Sequence, residues 1–191
     1  MTVIGVVGLP GSGKSEAAAV AASAGVPVVT MGDVIREETR RRGLDPAEDH
    51  GAVATALREE EGEAAIAART LPHIEDALAE SDVVLVDGIR SDVEVDRFEA
   101  AYGDSFVLVS VEAPFAVRAE RLDLRGRDKS AAEGGESLAD RDERELGFGM
   151  GVAMDRADVV LENVDSLAAF RARVREVLAD AGADVEVEAD G

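Results

Sequence analysis

Gly8-Leu9-Pro10-Gly11-Ser12-Gly13-Lys14-Ser15 stands directly after the apolar run Val3 to Val7 and opens an Ala-rich stretch, Gly13 to Ala24, that reads as a helix. The pattern is G-x-x-x-x-G-K-S in a strand-loop-helix setting. Its glycines let the backbone wrap so that N–H groups converge on phosphate oxygens, and the helix that follows contributes the positive end of its dipole. Lys14 then reaches the β- and γ-phosphates, and the Ser15 hydroxyl ligates Mg²⁺. At this chain's own residue frequencies the pattern arises by chance in roughly two of a thousand such chains. Residues 8–15 are therefore a candidate nucleotide site, with ATP and Mg²⁺ as the implied cofactors. The sequence holds only two lysines, Lys14 and Lys129, and one stands here, where the planar fork of arginine is no substitute for a compact ammonium.

Working outward, Val26 to Val29, Val83 to Val86, Phe106 to Val111 and Asp158 to Leu161 repeat the short apolar run of Val3 to Val7. Such runs suit strands covered on both faces, and their alternation with helical patterns predicts a three-layer α/β fold with a five-stranded parallel sheet. Helices are expected over Asp33 to Arg42, Pro46 to Glu61, Gly62 to Glu80, Ser91 to Tyr102, Pro114 to Arg125, Leu138 to Met154 and Ser166 to Asp180, with Pro72 starting or kinking one of them. GRDKSAAEGG, Gly126 to Gly135, has no apolar period and reads as a mobile surface segment. Gly182 to Gly191 alternates Val with acids and is expected to fray. No internal repeat is found.

With 41 acidic against 20 basic residues the formal charge is −21. A chain so acidic does not suit a nucleic-acid or anionic-membrane partner, which calls for clustered basic side chains. Acid excess combined with near elimination of lysine reads as halophilic, since in molar salt the Debye length falls to ~3 Å and self-repulsion is screened. The absence of cysteine excludes a disulfide framework, a thiolate nucleophile and a Cys-based zinc site, and fits a cytoplasmic setting. No run approaches the apolar length needed to span a bilayer, and the N-terminus lacks a signal-peptide pattern. Hydrophobic residues make up 46% of the chain, enough for one domain over residues 1–182 with an acidic tail over residues 183–191.

Val83-Val84-Leu85-Val86-Asp87 ends on a carboxylate at the carboxyl edge of the sheet, where open α/β sheets bind ligands. Asp87 there can orient a water on Mg²⁺ or cap the next helix; the two roles are compatible. An arginine follows each of two strand ends: Arg36 in Met31-Gly32-Asp33-Val34-Ile35-Arg36, and Arg90 in Gly88-Ile89-Arg90-Ser91. Arg118, Arg121, Arg125 and Arg127 then fall within ten residues, the first three at helical spacing on one face, and Arg141 and Arg144 repeat the i, i+3 spacing. Each singly reads as a solvated ion pair; the group reads as a phosphoryl-transfer cluster. His50 and His73, the only histidines, have no partner at ligand or base spacing and are expected on the surface. Met150 and Met154 read as core.

These motifs resemble the nucleoside monophosphate kinase and dephospho-CoA kinase branch of P-loop kinases over nearly the whole chain. GLPGSGKS is similar to their phosphate loop, GDVIR to the adenylate-kinase element that holds the acceptor phosphate, and RAERLDLRGR to the run that enters their lid. The resemblance implies strand order 2-3-1-4-5, an acceptor-binding insertion at about residues 31–80 and a lid at about residues 115–145. It implies Arg36 as an acceptor ligand, and Arg118, Arg121 and Arg127 as lid or transition-state arginines. ADVVLEN, Ala157 to Asn163, is similar to the last strand and loop of dephospho-CoA kinases, which places Asn163 near the base. GDVIREE, LREEEG, VDGIRS and RDERELGFG together resemble an archaeal, haloarchaeal-looking family of P-loop proteins related to these kinases. Arg90 stands one residue closer to Asp87 than in the Asp-Gly-Phe-Pro-Arg of adenylate kinases, as in the D-x-x-R of deoxynucleotide and phosphomevalonate kinases. Thr30-Met31 replaces their Ser-Thr, and a zinc-bearing lid is excluded by the lack of cysteine.

The reading is therefore an ATP- and Mg²⁺-dependent kinase acting on a small, nucleotide-like acceptor. Lys14, Asp87, Arg118, Arg121 and Arg127 do the chemistry, Gly8 to Ser15 with Asn163 hold nucleotide, and Ser15 and Asp87 hold metal. Asp33, Arg36, Arg90 and Arg141 hold the acceptor. A nucleotide switch or NTPase acting on a protein partner, and a non-catalytic nucleotide binder, stay open as alternatives. Subunit number, monomer or homodimer, is not set by the sequence.

Overall fold

Strands β1 (Thr2–Val7), β2 (Val28–Thr30), β3 (Val83–Asp87), β4 (Phe106–Glu112) and β5 (Val159–Glu162) pair in parallel in the order β2-β3-β1-β4-β5. The computed structural model describes residues 1–124 and 137–185. The order is the one the kinase resemblance implied. Pleating sorts the strand residues into two cores. Ile4 and Val6 of β1, Leu85 of β3 and Val109 of β4 join the layer of α1 (Lys14–Ser23) and α9 (Leu167–Asp180). Val3 and Val7, Val84 and Val86, with Leu108, join the layer of α4 (Ala65–Leu78), α5 (Asp92–Tyr102) and α8 (Met150–Asp155). Burial on both faces is why these strands read as continuous apolar runs.

Beyond β2, helices α2 (Met31–Arg41) and α3 (Pro46–Glu61) pack with α4. Asp45 caps α3 by accepting from Ala47 N–H, with Pro46 in the first turn where its missing donor costs nothing. Glu38 of α2 is buried and gripped by Arg41, Arg42 and Arg69, the last of these on α4. Those guanidinium bonds lower its carboxyl to about 2. After β4 come α6 (Phe115–Leu124) and, beyond residue 136, α7 (Leu138–Gly147), which starts on a capping box between Ser137 and Asp140.

The structure departs from the expected elements in three places. The single helix expected from Leu138 to Met154 is two, α7 and α8, broken at Phe148-Gly149: Gly149 takes φ +97° and lies so close to Asp92 that a Cβ would overlap its carboxylate. Of the two expectations for Pro72, a helix start is ruled out: α4 runs through it and leaves the Ala68 carbonyl without the donor that proline lacks. His50 is half-buried, with a buried Nε2 that has no partner among the described residues, whereas His73 is exposed as expected and stands 3.8 Å from Glu37. The end of the chain is held beyond Gly182: Ala183 N–H donates to Leu178 O at 2.9 Å, and Ala183 and Val185 pack against the α1/α9 core. The segment Gly126 to Gly135, expected to be mobile, and residues 186–191 lie outside the described residues. Met150 and Met154 pack in the core as expected. No described helix is long and apolar enough to cross a membrane.

Phe98 is fully buried and stacks on Phe106 with ring centroids 5.8 Å apart, joining α5 to β4. Phe98→Ala should lower unfolding free energy by about 3–5 kcal/mol, read as the urea midpoint in molar KCl. A shift equivalent to less than about 1 kcal/mol would show that α5 collapses to refill the space.

Candidate functional site

Residues 8–13 turn from the end of β1 into α1 at the carboxyl edge of the sheet, and side chains from α1, α6 and the end of β5 bind the loop. Lys14 Nζ folds back on the loop, donating to Gly8 O at 2.5 Å and Leu9 O at 3.1 Å. Arg118 of α6 donates Nη1 to Pro10 O at 3.0 Å. Asn163, just past β5, donates Nδ2 to Ser12 O at 2.8 Å, and it approaches Gly13 so closely that a Cβ there would overlap the amide. Gly13 also takes φ +121°, so only glycine serves at that position. Arg121 in turn donates Nη2 to the backbone and side-chain oxygens of Asn163 at 3.0 and 3.1 Å.

The arginine run thus reaches the phosphate loop at two points rather than one. Arg118, 4% exposed, is fully engaged: Nε on Ala113 O at 3.0 Å, and Nη1 and Nη2 bidentate on Asp142 of α7 at 2.8 and 2.7 Å. Its described bonds make it a strut between α6, the loop and α7. Arg121 keeps one buried nitrogen, Nη1, with no partner among the described residues, a donor available to a ligand at the Asn163 side of the loop. The Ser12 hydroxyl is likewise buried and unpartnered among the described residues. It lines a cavity of about 340 Å³ with Leu9, Val111, Pro114 and Met154.

Asp87, at the end of β3 and in register with Val6 and Thr30, lies close enough to Lys14 to act on its charge. Burial lowers the Lys14 ammonium from 10.5 to about 8; Asp87 and Glu145 oppose that shift, while Arg90 and Arg118 add to it. One lysine, two arginines and two carboxylates therefore share one field. Arg90 donates Nη1 to Glu145 of α7 at 2.8 Å, and its backbone N–H donates to Glu94 of α5 at 2.8 Å. Asp33 and Arg36 are paired with each other on the surface at 2.9 Å from Nε. Arg141 lies in the first turn of α7, and Arg127 lies outside the described residues. Ser15, in the first turn of α1, is exposed.

A divalent cation suits this edge. Ser15 and Asp87 supply two hard oxygen donors, and among the described residues no trio of acidic or histidine side chains forms a metal cage. An ion held by one or two protein oxygens and completed by phosphate oxygens fits that donor set. Sequence reasoning missed Asp142, Glu145, Glu94 and Arg58. Their only signal is the three-residue spacing of Asp142 and Glu145 on α7, which puts both on the face toward the loop.

The AAA domain family matches residues 7–138. A UPF0200 protein of Halobacterium salinarum is 59% identical over 179 residues, covering 94% of this chain and 93% of that protein. Among solved structures, TT1252 from Thermus thermophilus superposes with a TM-score of 0.62 at 25% identity, over 94% of this chain and 97% of the other. Shikimate kinase from Acinetobacter baumannii in complex with shikimate shares the fold, with a TM-score of 0.55 at 17% identity over 93% and 91% of the two chains.

The field around Lys14 can be read directly, because Lys129→Arg leaves Lys14 as the only lysine. In that variant the Lys14 side-chain NMR signal should titrate near 8. Its folded value lies below the unfolded one, so the unfolded chain binds more protons between about 8 and 10.5, and this group makes stability rise with pH across that window. Asp87→Asn removes an opposing charge and should move the midpoint lower still. An unchanged or higher midpoint in Asp87→Asn would place Asp87 outside the site.

Proposed function

Because this chain belongs to the UPF0200 family and carries the AAA domain on the architecture of small-molecule kinases, we propose that it transfers the γ-phosphoryl group of ATP, with Mg²⁺, to a small, nucleotide-like acceptor. The observation that carries this reading is that Arg90, from the acceptor side of the sheet edge, shares one electrostatic field with Lys14, Asp87 and Arg118. An anionic acceptor brings charge that a further cation beside Lys14 neutralises.

Lys14 leaves the Gly8 and Leu9 carbonyls and takes β- and γ-phosphate oxygens in their place, a like-for-like exchange of acceptors for its three N–H donors. Arg118 holds Pro10, and Asn163 with Arg121 holds Ser12, so the loop keeps its curvature while the ammonium moves. Mg²⁺ held by Ser15 and Asp87 supplies neutralising charge across the phosphates. An acceptor oxygen bonds to the γ-phosphorus as the bond to the β,γ-bridging oxygen breaks, and the diphosphate leaves with that electron pair. Where the acceptor is a hydroxyl, its proton passes to Asp33 or Asp87; a phosphate acceptor has none to lose. Arg36, Arg90 and Arg141 position the acceptor, α2 to α4 form its insertion, and α6 and α7 form the described part of its lid. The acid-rich, lysine-poor composition and the 59% identity to a Halobacterium protein support molar KCl as the working condition.

The test is diphosphate release from ATP·Mg²⁺ in molar KCl, with and without nucleoside monophosphates, dephospho-CoA and isoprenoid phosphates. One acceptor should stimulate release and emerge phosphorylated, and Lys14→Ala should slow transfer by about 10²-fold or more. Release that ignores every acceptor yet disappears in Lys14→Ala would replace the kinase with an NTPase or nucleotide switch.

A further inference from the structure

Phe148 has no place in the phosphate-loop machinery, yet the fold goes out of its way to present it. At the break between α7 and α8 Gly149 packs against Asp92 at the start of α5, and beside it Phe148 is 48% exposed. The ring stands beneath a guanidinium: Arg58 of α3 lies 5.9 Å from its centroid. Arg58 also donates Nη2 to Glu94 at 3.2 Å, and Glu94, 1% exposed, accepts the Arg90 backbone N–H through its other oxygen. One buried carboxylate thus holds the Arg58 guanidinium and the Arg90 backbone, while Glu145 holds the Arg90 guanidinium; burial disfavours the charge of Glu94 and its partners hold it in place.

We propose that Phe148, Arg58 and Arg90 form the acceptor subsite, and that it takes an oxyanion, phosphate or carboxylate, joined to a flat unsaturated ring. The proposal rests on the kinase reading and names the acceptor's chemical class. Charge sets the anion. Arg58 pairs with Glu94 and Arg90 with Glu145, so two cations are brought together in a chain whose net charge is −21. Among the described residues, Nε and Nη1 of Arg58 and Nε and Nη2 of Arg90 have no hydrogen-bond partner, so each fork keeps donors for a second oxyanion. The amino end of α5, capped by Ser91 through Glu94 N–H, adds its dipole beside them.

Geometry sets the ring. An aromatic face already carrying a guanidinium on one side offers its remaining exposed surface to stacking, and planar ligands gain most from it. The chain of contacts sets the order. Arg90 lies in the field of Lys14, Glu94 links Arg90 to Arg58, and Arg58 lies over Phe148, so the oxyanion sits toward the phosphate loop and the ring away from it. Arg36 is turned onto its neighbour Asp33, which makes the Arg58 and Arg90 pair the better-built anion holder.

The test uses Lys14→Ala protein, so that the phosphate loop does not compete, and ligand-observed NMR titration in molar KCl with phenyl phosphate, benzoate and inorganic phosphate. At least one ring ligand should bind. Phe148→Ala should weaken it about fivefold or more, Phe148→Tyr should restore it, and neither should change inorganic phosphate. Arg58→Ala should weaken both ring and inorganic ligands about tenfold. The larger response of phenyl phosphate or of benzoate names the oxyanion. Phe115→Ala, another half-exposed ring stacked near an arginine, is the control and should change nothing. If neither ring ligand binds, or if Phe148→Ala behaves like Phe115→Ala, the subsite is wrong. Absence of transfer from ATP to any acceptor in the unaltered protein, with this binding intact, would sink the kinase reading alone.

Discussion

The carbonyl oxygens of residues 8–12 have to be bound from behind before the loop can turn its N–H groups outward. A tight wrap of backbone around an anion leaves its own acceptors pointing into protein, where an unpaired carbonyl is costly. Four of them are met by side chains: Pro10 by Arg118 and Ser12 by Asn163 as fixed supports, and Gly8 and Leu9 by Lys14, whose bonds the proposed exchange for phosphate oxygens would release. The helices and strands that supply these groups, α1, α6 and the end of β5, are adjacent only because the sheet runs 2-3-1-4-5 with β1 at its centre. Strand order and loop shape are one constraint seen at two scales.

An acidic chain that must bind anions meets a second constraint, which α7 answers. Three of the described arginines around the site are paired with a carboxylate, Arg118 with Asp142, Arg90 with Glu145 and Arg58 with Glu94, while Arg121 is held by Asn163. Buried guanidinium groups without counterions would carry a large desolvation cost and repel one another. Pairing removes that repulsion and fixes each fork, and it keeps the positive field short-ranged. In molar salt nothing is lost by this, since long-range steering is screened within a few ångströms in any case. Recognition in such a protein has to come from contacts, which is why forks with spare donors matter more than total charge.

The loop and the five strands could be read from the residues alone, because a continuous apolar run and a G-x-x-x-x-G-K-S have few other uses. Strand order was not readable that way; it came from resemblance, since periodicity says nothing of which strands neighbour each other. Helix ends were mostly within one or two residues where a cap announced them, as at Asp45 and Ser91. The α7/α8 break went unread although its signal was present, two glycines around Phe148, because the apolar period continues across it. Asp142, Glu145 and Glu94 were hidden for a different reason. Among 41 acidic residues a carboxylate that grips a buried arginine looks like any solvated one until the fold brings the pair together.

Lys14 shows why one lysine survives where arginine has replaced almost all the rest. In the folded chain its ammonium donates to two adjacent carbonyls, Gly8 O and Leu9 O, from within a largely desolvated space. A tetrahedral head with three rotatable donors can hand those bonds to phosphate oxygens with a small swing of its stem. A planar guanidinium has to match both sets of acceptors with one rigid fork, in a volume already bounded by Arg118 and Arg90. The same burial that lowers its proton affinity to about 8 makes the charged form eager for a counter-charge. The position thus stores electrostatic driving force for an anion that the carbonyls satisfy only in part.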